Sequence, residues 1–229
     1  MALPLCKTGL NRASPFGFSC NRCIGCCRYK KIQLNPYEIA RMAHNLGIST
    51  TGFIATYTAH GGTVLQTRED GTCIFLDAEG CGIHPDRPLV CRLYPLGRYV
   101  DYLGVETFSQ AVLEEGCRGE LNESGTIEKY LEEQGALPFM HAADLYLNLL
   151  WDLLDILNDQ ELEASESETV LEKVRVVTND GCDGNELFRT DMDLVLEEYC
   201  RQSAIPVPED IDERMATHIK AVRKWAGQP

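Results

Sequence analysis

No stretch of this 229-residue chain is apolar for long enough to cross a bilayer, which takes about 20 consecutive apolar residues. The richest run is bracketed by Asp144 and Asp152. Met1 to Cys6 offers no charged start followed by an apolar core, so no secretory signal is read there. Cys6 likewise stands without the apolar run that precedes a lipoprotein processing site. Positive charge is scarce: 21 Lys and Arg face 35 Asp and Glu, a net of −14 and a pI near 4.8. That balance excludes a general grip on nucleic acid or on an anionic membrane, both of which require a cationic surface. A Gly-rich phosphate loop, a serine nucleophile elbow and a His-Glu-x-x-His helix are all missing, and with them three common catalytic patterns. There is no internal repeat, and only Glu161 to Glu168 is compositionally biased, an acidic Ser/Glu loop. With 44% hydrophobic and 24% charged residues the chain is nevertheless built to fold.

What the sequence has in excess is cysteine, eleven in all. With no secretory signal the expected compartment is the cytoplasm, where thiols stay reduced and cysteine clusters read as metal or redox sites rather than disulfide staples. The odd count agrees. Charge is divided along the chain: residues 1–100 carry a net +5 and residues 101–229 a net −19. Eight cysteines lie in the positive part, and seven of them, Cys20 to Cys91, fall near Arg22, Arg28, Lys30, Lys31, Arg87 and Arg92. Cations stabilise thiolates, the form that binds metal.

The densest signal is Cys20-Asn-Arg-Cys23-Ile-Gly-Cys26-Cys27. Two-residue gaps let thiolates converge on one centre, with Gly25 available for the turn that convergence requires. Tetrahedral zinc and iron–sulfur clusters both use this spacing. The bacterial ferredoxin run begins in the same way, but Lys30 stands where its fourth cysteine belongs. A remote cysteine must therefore close the site. Cys26 and Cys27, being adjacent, more naturally serve two centres than one.

A second cluster follows: Cys73-Ile-Phe-Leu, then Cys81-Gly-Ile-His84, Arg87-Pro88 and Cys91-Arg92-Leu-Tyr94-Pro95. Together the two clusters resemble the CxxCxxCC family of zinc- or iron-chelating, YkgJ-like cysteine-cluster proteins, over about residues 18–135. Cys117-Arg-Gly-Glu, followed by the helical Ile127 to Gln134, is similar to the further cysteine that family members often carry. Arg118 departs from the proline often found there. The resemblance implies metal ligation by Cys20, Cys23, Cys26, Cys27, Cys73, Cys81, Cys91 and Cys117. The cofactor it implies is zinc and/or an iron–sulfur cluster such as [4Fe–4S], as two zinc sites, two clusters or one of each. A four-thiolate centre of either kind keeps two negative charges, so two of them nearly cancel the +5. Cys6, Cys182 and Cys200 are left as small buried hydrophobes. His84 is read as a local hydrogen-bonding residue in its turn, with a Cys₃His ligand as the alternative. Arg87 and Arg92 are candidates to donate to ligand sulfurs or to pair with the acidic region. Tyr94-Pro95 reads as a packing corner.

The fold class expected is α+β and mainly helical: a small metal-stabilised module with short strands at 1–135, and an acidic helical region at 136–229 packed on it. Asn35-Pro36 opens a helix that closes near Gly47, and Ser49 caps a second bearing Phe53, Ile54 and Tyr57. Short strands are expected at 63–65, 73–76 and within 97–109, separated by Asp70-Gly71 and Glu79-Gly80 turns. From Leu137 to Asn158 an apolar helix carries one polar stripe of His141, Asp144, Asn148, Asp152 and Asp155, read as its solvated face. Thr190 with Asp193 resembles a capping box, and Asp210 to Trp225 is amphipathic. These features lead to a cytoplasmic metal-binding protein. Its alternatives are an iron–sulfur enzyme such as a protein-lysine N-methyltransferase, similar to flagellin lysine-N-methylases with a like cysteine module, and a structural zinc module for protein interaction. The partners expected are metal ions and a protein partner or protein substrate, without nucleic acid or membrane.

Overall fold

The structure is a computed structural model describing residues 5–21, 23–101, 103–163 and 189–227. Arg22, Cys182 and the acidic stretch from 164 onward lie outside the described residues, as does the side chain of Asp155. The architecture is α+β, as composition and patterning predict. The chain forms two compact units, each made from two stretches: Met1–Ile32 with Thr67–Met140, and Gln33–Gln66 with His141–Pro229. Segment 33–66 thus packs with the later helices, where a single boundary near residue 135 is expected from composition. Its helices present apolar faces, and a helical unit buries such faces better than short strands do.

The first unit is built on antiparallel pairings between distant stretches. Strand β1 (Leu5–Leu10) and strand β7 (Leu96–Val100) flank strand β8 (Glu106–Ala111) in a three-stranded sheet. Strand β2 (Pro15–Ser19) pairs with strand β9 (Glu120–Thr126), with Phe18 opposite Leu121 and Ser19 opposite Glu120. Helix α3 (Leu89–Leu93) and helix α4 (Ile127–Glu133) pack on these strands. The buried cluster joins Phe16, Leu93, Leu96, Phe108, Ile127, Tyr130 and Leu131, with Phe16 edge-on to Tyr130 at 5.0 Å between centroids.

Buried Arg92 locks one side of this unit. Its guanidinium donates to the carbonyls of Arg87 (2.9 Å), Gln134 (2.8 Å) and Pro85 (2.5 Å), and lies 3.9 Å over the Phe139 ring. A planar five-donor group suits three carbonyls arriving from different directions.

The second unit is helical, with strands β3 (Thr58–Ala59) and β4 (Val64–Leu65) as its one small hairpin among the described residues. Helix α1 (Pro36–Leu46) starts where Asn35-Pro36 predicts. The Asn35 side chain accepts from Glu38 N–H, the Glu38 carboxylate accepts from Asn35 N–H, and Gly47 takes the left-handed C-cap at φ 66°. Helix α2 (Thr50–Tyr57) is capped by Ser49. Helix α5 (Leu137–Glu163) is present as its apolar run predicts. His141 and Asn148 are exposed on its polar stripe, while Asp152 pairs with Arg223 at 2.7 Å. Its apolar residues are not all buried, since Trp151 is 58% exposed.

Helix α6 (Met192–Ser203) is capped one residue later than a Thr190–Asp193 box would place it. Asp191 is the N-cap, and Thr190 instead donates to the Gly61 carbonyl. The shift follows from a tertiary demand on the acidic residues. Asp191 also accepts from the Thr50 and Thr51 hydroxyls, both at 2.6 Å, and Asp193 accepts from Thr50 N–H and pairs with Arg214. Helix α7 (Ile211–Trp225) buries Met215, Ile219 and Val222 as its periodicity predicts, together with His218. The His218 ring accepts from the Tyr146 hydroxyl through Nδ1 (3.1 Å) and donates to the Arg189 carbonyl through Nε2 (2.9 Å), the tautomer that satisfies both contacts.

Candidate metal centre

All eight candidate ligand cysteines fall in the first unit. The chain that leaves β2 at Ser19 reaches exposed Cys20 and then turns sharply. Ile24 sits in the left-handed region at φ 60°, followed by a 3-10 turn at Gly25–Cys27. The special conformation therefore falls on Ile24 and not on Gly25. For a β-branched residue that costs about 1–3 kcal/mol, and such strain gathers at functional sites. The turn returns Cys27 N–H to the Ile24 carbonyl at 3.0 Å and aims the Gly25 amide at the Cys23 sulfur.

Cys27 is then placed beside Cys73, whose amide donates to the Cys27 carbonyl at 2.9 Å next to an Arg28–Thr72 bridge. Residues 73–76 do not form the strand expected from their apolar run. Cys73 lies in a bridge and turn, and its sulfur faces the amide of Phe75. Strand β5 (Leu76–Asp77) and strand β6 (Gly80–Cys81) make a tight hairpin with Leu76 opposite Cys81, and the Cys81 sulfur faces the amide of Ile83. Cys91 is exposed on α3. Cys117 lies between β8 and β9, with its sulfur 3.4 Å from the Gly119 amide.

One local geometry thus recurs four times: Cys23 with Gly25, Cys73 with Phe75, Cys81 with Ile83, and Cys117 with Gly119. In each, the amide two residues on points at the sulfur. An N–H aimed at sulfur favours the thiolate over the thiol. Cys23 also accepts from Arg118 N–H at 3.3 Å. That amide, followed by the Gly25 amide, holds the Cys23 thiol below its ordinary pKa against the opposing effect of burial. Burial pushes the Cys73 and Cys81 thiols up, opposed by their amides and by the charges of Arg68 and Arg87 respectively.

Cys26 and Cys27 share a hydrogen bond at 4.0 Å. It raises the Cys26 thiol, which keeps its proton, and lowers Cys27, whose anionic form is opposed by the charges of Cys91, Cys81 and Cys73. Cys23 and Cys117, 94 positions apart, bring their sulfurs to 3.9 Å. Burial raises Cys117, while the Tyr94 hydroxyl donates to it. That hydroxyl also accepts from Glu114 N–H at 3.2 Å, and burial pushes its pKa up to about 12. Tyr94 is therefore a sulfur donor as well as a packing corner. A tyrosine inside an apolar Leu-Tyr-Pro run gives no sign of this role, and a backbone amide has no sequence signature at all.

Arg87 bonds to the His84 carbonyl (2.7 Å), to His84 Nδ1 (3.3 Å) and to Gln134 (2.7 Å), so it acts on Cys81 through charge. The three bonds given above for Arg92 run to carbonyls. Cys6 is exposed, not buried, and donates weakly to the Gln110 carbonyl at 3.4 Å; Cys200 is buried.

Among the described residues no group of three His, Cys, Asp or Glu side chains is arranged to hold an ion. The close sulfur contacts are pairwise, and a bound metal would complete the convergence. The donor set nevertheless fits a thiophilic metal. No disulfide joins the described cysteines, amides face four of the sulfurs, and the Cys23–Cys117 spacing suits two ligands of one tetrahedral zinc. With Zn–S near 2.3 Å, tetrahedral geometry separates sulfurs by about 3.8 Å.

Eight cysteines carried by short strands and turns of one unit define the class of the module, a cysteine-cluster domain. The model of the CxxCxxCC family, whose description reads "Putative zinc- or iron-chelating domain", matches residues 19–118, and that part of the chain is similar to it. No curated protein matches the chain, and no solved structure does. No helix among the described residues is long and apolar enough to cross a membrane.

Proposed function

We propose that the protein is a zinc-binding protein of the reducing cytoplasm, holding two ions in adjoining four-thiolate sites. Cys27, Cys73, Cys81 and Cys91 make one set, since the last three act electrostatically on Cys27. Cys20, Cys23, Cys26 and Cys117 make the other. Cys23 contacts Cys117, Cys26 feels the charge of Cys23, and Cys20 and Cys26 both act on Tyr130. Cys26 also acts on Cys81, so the sets adjoin. The split assigns the adjacent Cys26 and Cys27 to different centres.

The observation that carries the reading is the fourfold cysteine–amide turn. Four separate segments turn a backbone amide toward a sulfur, an arrangement a thiol serving only as a small hydrophobe has no need of. Zinc is favoured over a [4Fe–4S] core by the 3.9 Å Cys23–Cys117 contact. In a cluster each cysteine holds a different iron, so the sulfurs stand further apart than around a single ion.

The test is purification without oxygen followed by counts of zinc, iron and sulfide per chain and a visible spectrum. The expected result is a colourless protein with two zinc ions and no sulfide. Cys73→Ser and Cys23→Ser should each lower the count by one. A brown protein with stoichiometric sulfide would overturn zinc in favour of a cluster. A metal-free chain after growth in both metals would overturn chelation.

A further inference from the structure

Two sulfur pairs in the first unit lie close together, and they are chemically unequal. Cys26 and Cys27 are neighbours in sequence, with Cα atoms about 3.8 Å apart across a trans peptide. Disulfides span about 4.4–6.8 Å between Cα atoms, so this pair cannot close without distorting the turn. Cys23 and Cys117 carry no such restriction. They are 94 residues apart, their sulfurs are 3.9 Å from each other, and both are partly exposed.

The fold holds these two in register. The β2–β9 ladder runs to Ser19 opposite Glu120, and beyond it the Asn21 side-chain amide donates to the Arg118 carbonyl at 2.6 Å. Cys23 and Cys117 lie just past that clamp, on turns outside the named strands. Closing a bond near 2.05 Å from 3.9 Å asks for about 2 Å of sulfur movement, within reach of side-chain rotation on a short turn.

We propose that Cys23 and Cys117 form an oxidation switch: a hydroperoxide converts them to a disulfide and thereby discharges the metal of their set. The Cys23 sulfur attacks one peroxide oxygen, the O–O bond breaks, and the other oxygen leaves as alcohol or water. The sulfenic acid so formed is attacked by the Cys117 sulfur, the S–O bond breaks, and its oxygen leaves as water. Two sulfurs lose two electrons in total and the peroxide gains them. A disulfide sulfur is no longer an anionic ligand, so a four-thiolate site is left with two. The other set has Cys73 and Cys81 drawn further from solvent, so it keeps its ion. The discharge step rests on the zinc reading above; the sulfur chemistry does not.

The experiment uses the reduced full-length chain, counted for zinc, treated with one equivalent of hydrogen peroxide and then alkylated and digested with trypsin. The peptide ending at Arg118 contains Cys117 as its single cysteine, and the peptide from Cys23 to Arg28 contains three. The expected product is these two peptides linked, with one equivalent of zinc released at the same rate. Cys23→Ser should abolish the link, and Asn21→Ala should slow it about tenfold by loosening the alignment. Parallel treatment of metal-stripped protein should give the same linked pair. A link through Cys26 or Cys27, its persistence in Cys23→Ser, or oxidation without any link would overturn the proposal. A zinc count of zero before peroxide would refute the metal reading alone, because the linked peptides are still read directly.

Discussion

Replacing Arg92 should unfasten the first unit without touching a cysteine. The guanidinium makes three charge-assisted hydrogen bonds to carbonyls and one face contact with Phe139, at 5% exposure. Hydrogen bonds to a charged group contribute about 1.5–3 kcal/mol each, and the cation–ring contact about 1–2 kcal/mol when desolvated. The cost of burying the cation offsets roughly half of that sum. Arg92→Met, which keeps the length and removes the donors, should therefore cost about 4 kcal/mol. Arg92→Lys keeps the charge but reaches fewer carbonyls and cannot stack, so about 2 kcal/mol is expected. For a chain of this size each kcal/mol moves the melting midpoint by about 2–4 °C, so Arg92→Met should melt roughly 8–16 °C lower. Chemical denaturation of wild type and both variants, with metal content held equal, measures this directly. A loss under about 1 kcal/mol for Arg92→Met would refute the reasoning, because it would mean that the three carbonyls find other donors at no cost.

Three further outcomes are expected. Burial holds His218 at a pKa of about 4, below its unfolded value near 6.5. The neutral ring is thus the native form, and its contribution is complete above about pH 6.5 and lost as pH falls toward 4. That removes about 3 kcal/mol from the second unit; urea midpoints across this range should show the slope, and His218→Gln should flatten it. Asp191→Ala removes an N-cap and the acceptor of two threonine hydroxyls, one of them on buried Thr50, so about 2–4 kcal/mol should be lost in denaturant titrations. Tyr94→Phe deletes the hydroxyl on Cys117 and should weaken zinc retention about tenfold in chelator competition, with the zinc count at saturation unchanged.

Local signals carried far in this chain and long-range pairings did not. The caps of α1 and α2, the amphipathic face of α7 and the β7–β8 pair are written in adjacent residues, and each appears where those residues predict. Strands β1, β2 and β9 were not legible. Glu120–Thr126 alternates poorly and has Leu121 as its one large apolar residue, and it becomes a strand because Pro15–Ser19, about a hundred positions earlier, supplies its partner. The Thr190–Asp193 box failed for a related reason: Asp193 is drawn to Thr50 and Arg214, which leaves Asp191 to cap. At the cysteine site the residue types and spacings were plain from the sequence. The amide donors, the strain at Ile24 and the Tyr94 hydroxyl were hidden, since each depends on where the backbone goes rather than on which residue is there. The companionship of 33–66 with the later helices was equally hidden, because composition changes near residue 135 and not near 33 or 66.

The pairing of β2 with β9 also has a consequence in time. A ribosome that has just released Cys20 to Cys27 has about ninety residues still to add before Cys117, and a few more before the partner strand of β2. At about 5–20 residues per second that is a wait of roughly 5–20 s. Through this interval four thiols within eight residues are exposed with neither the later cysteines nor the ladder that aligns them. A metal captured then would be held by the first cluster alone, and an oxidant arriving then would meet thiols free to pair wrongly. The nascent chain is thus most vulnerable well before its cysteine unit is complete, and growth conditions that protect thiols during synthesis should matter more to the yield of loaded protein than any treatment after it.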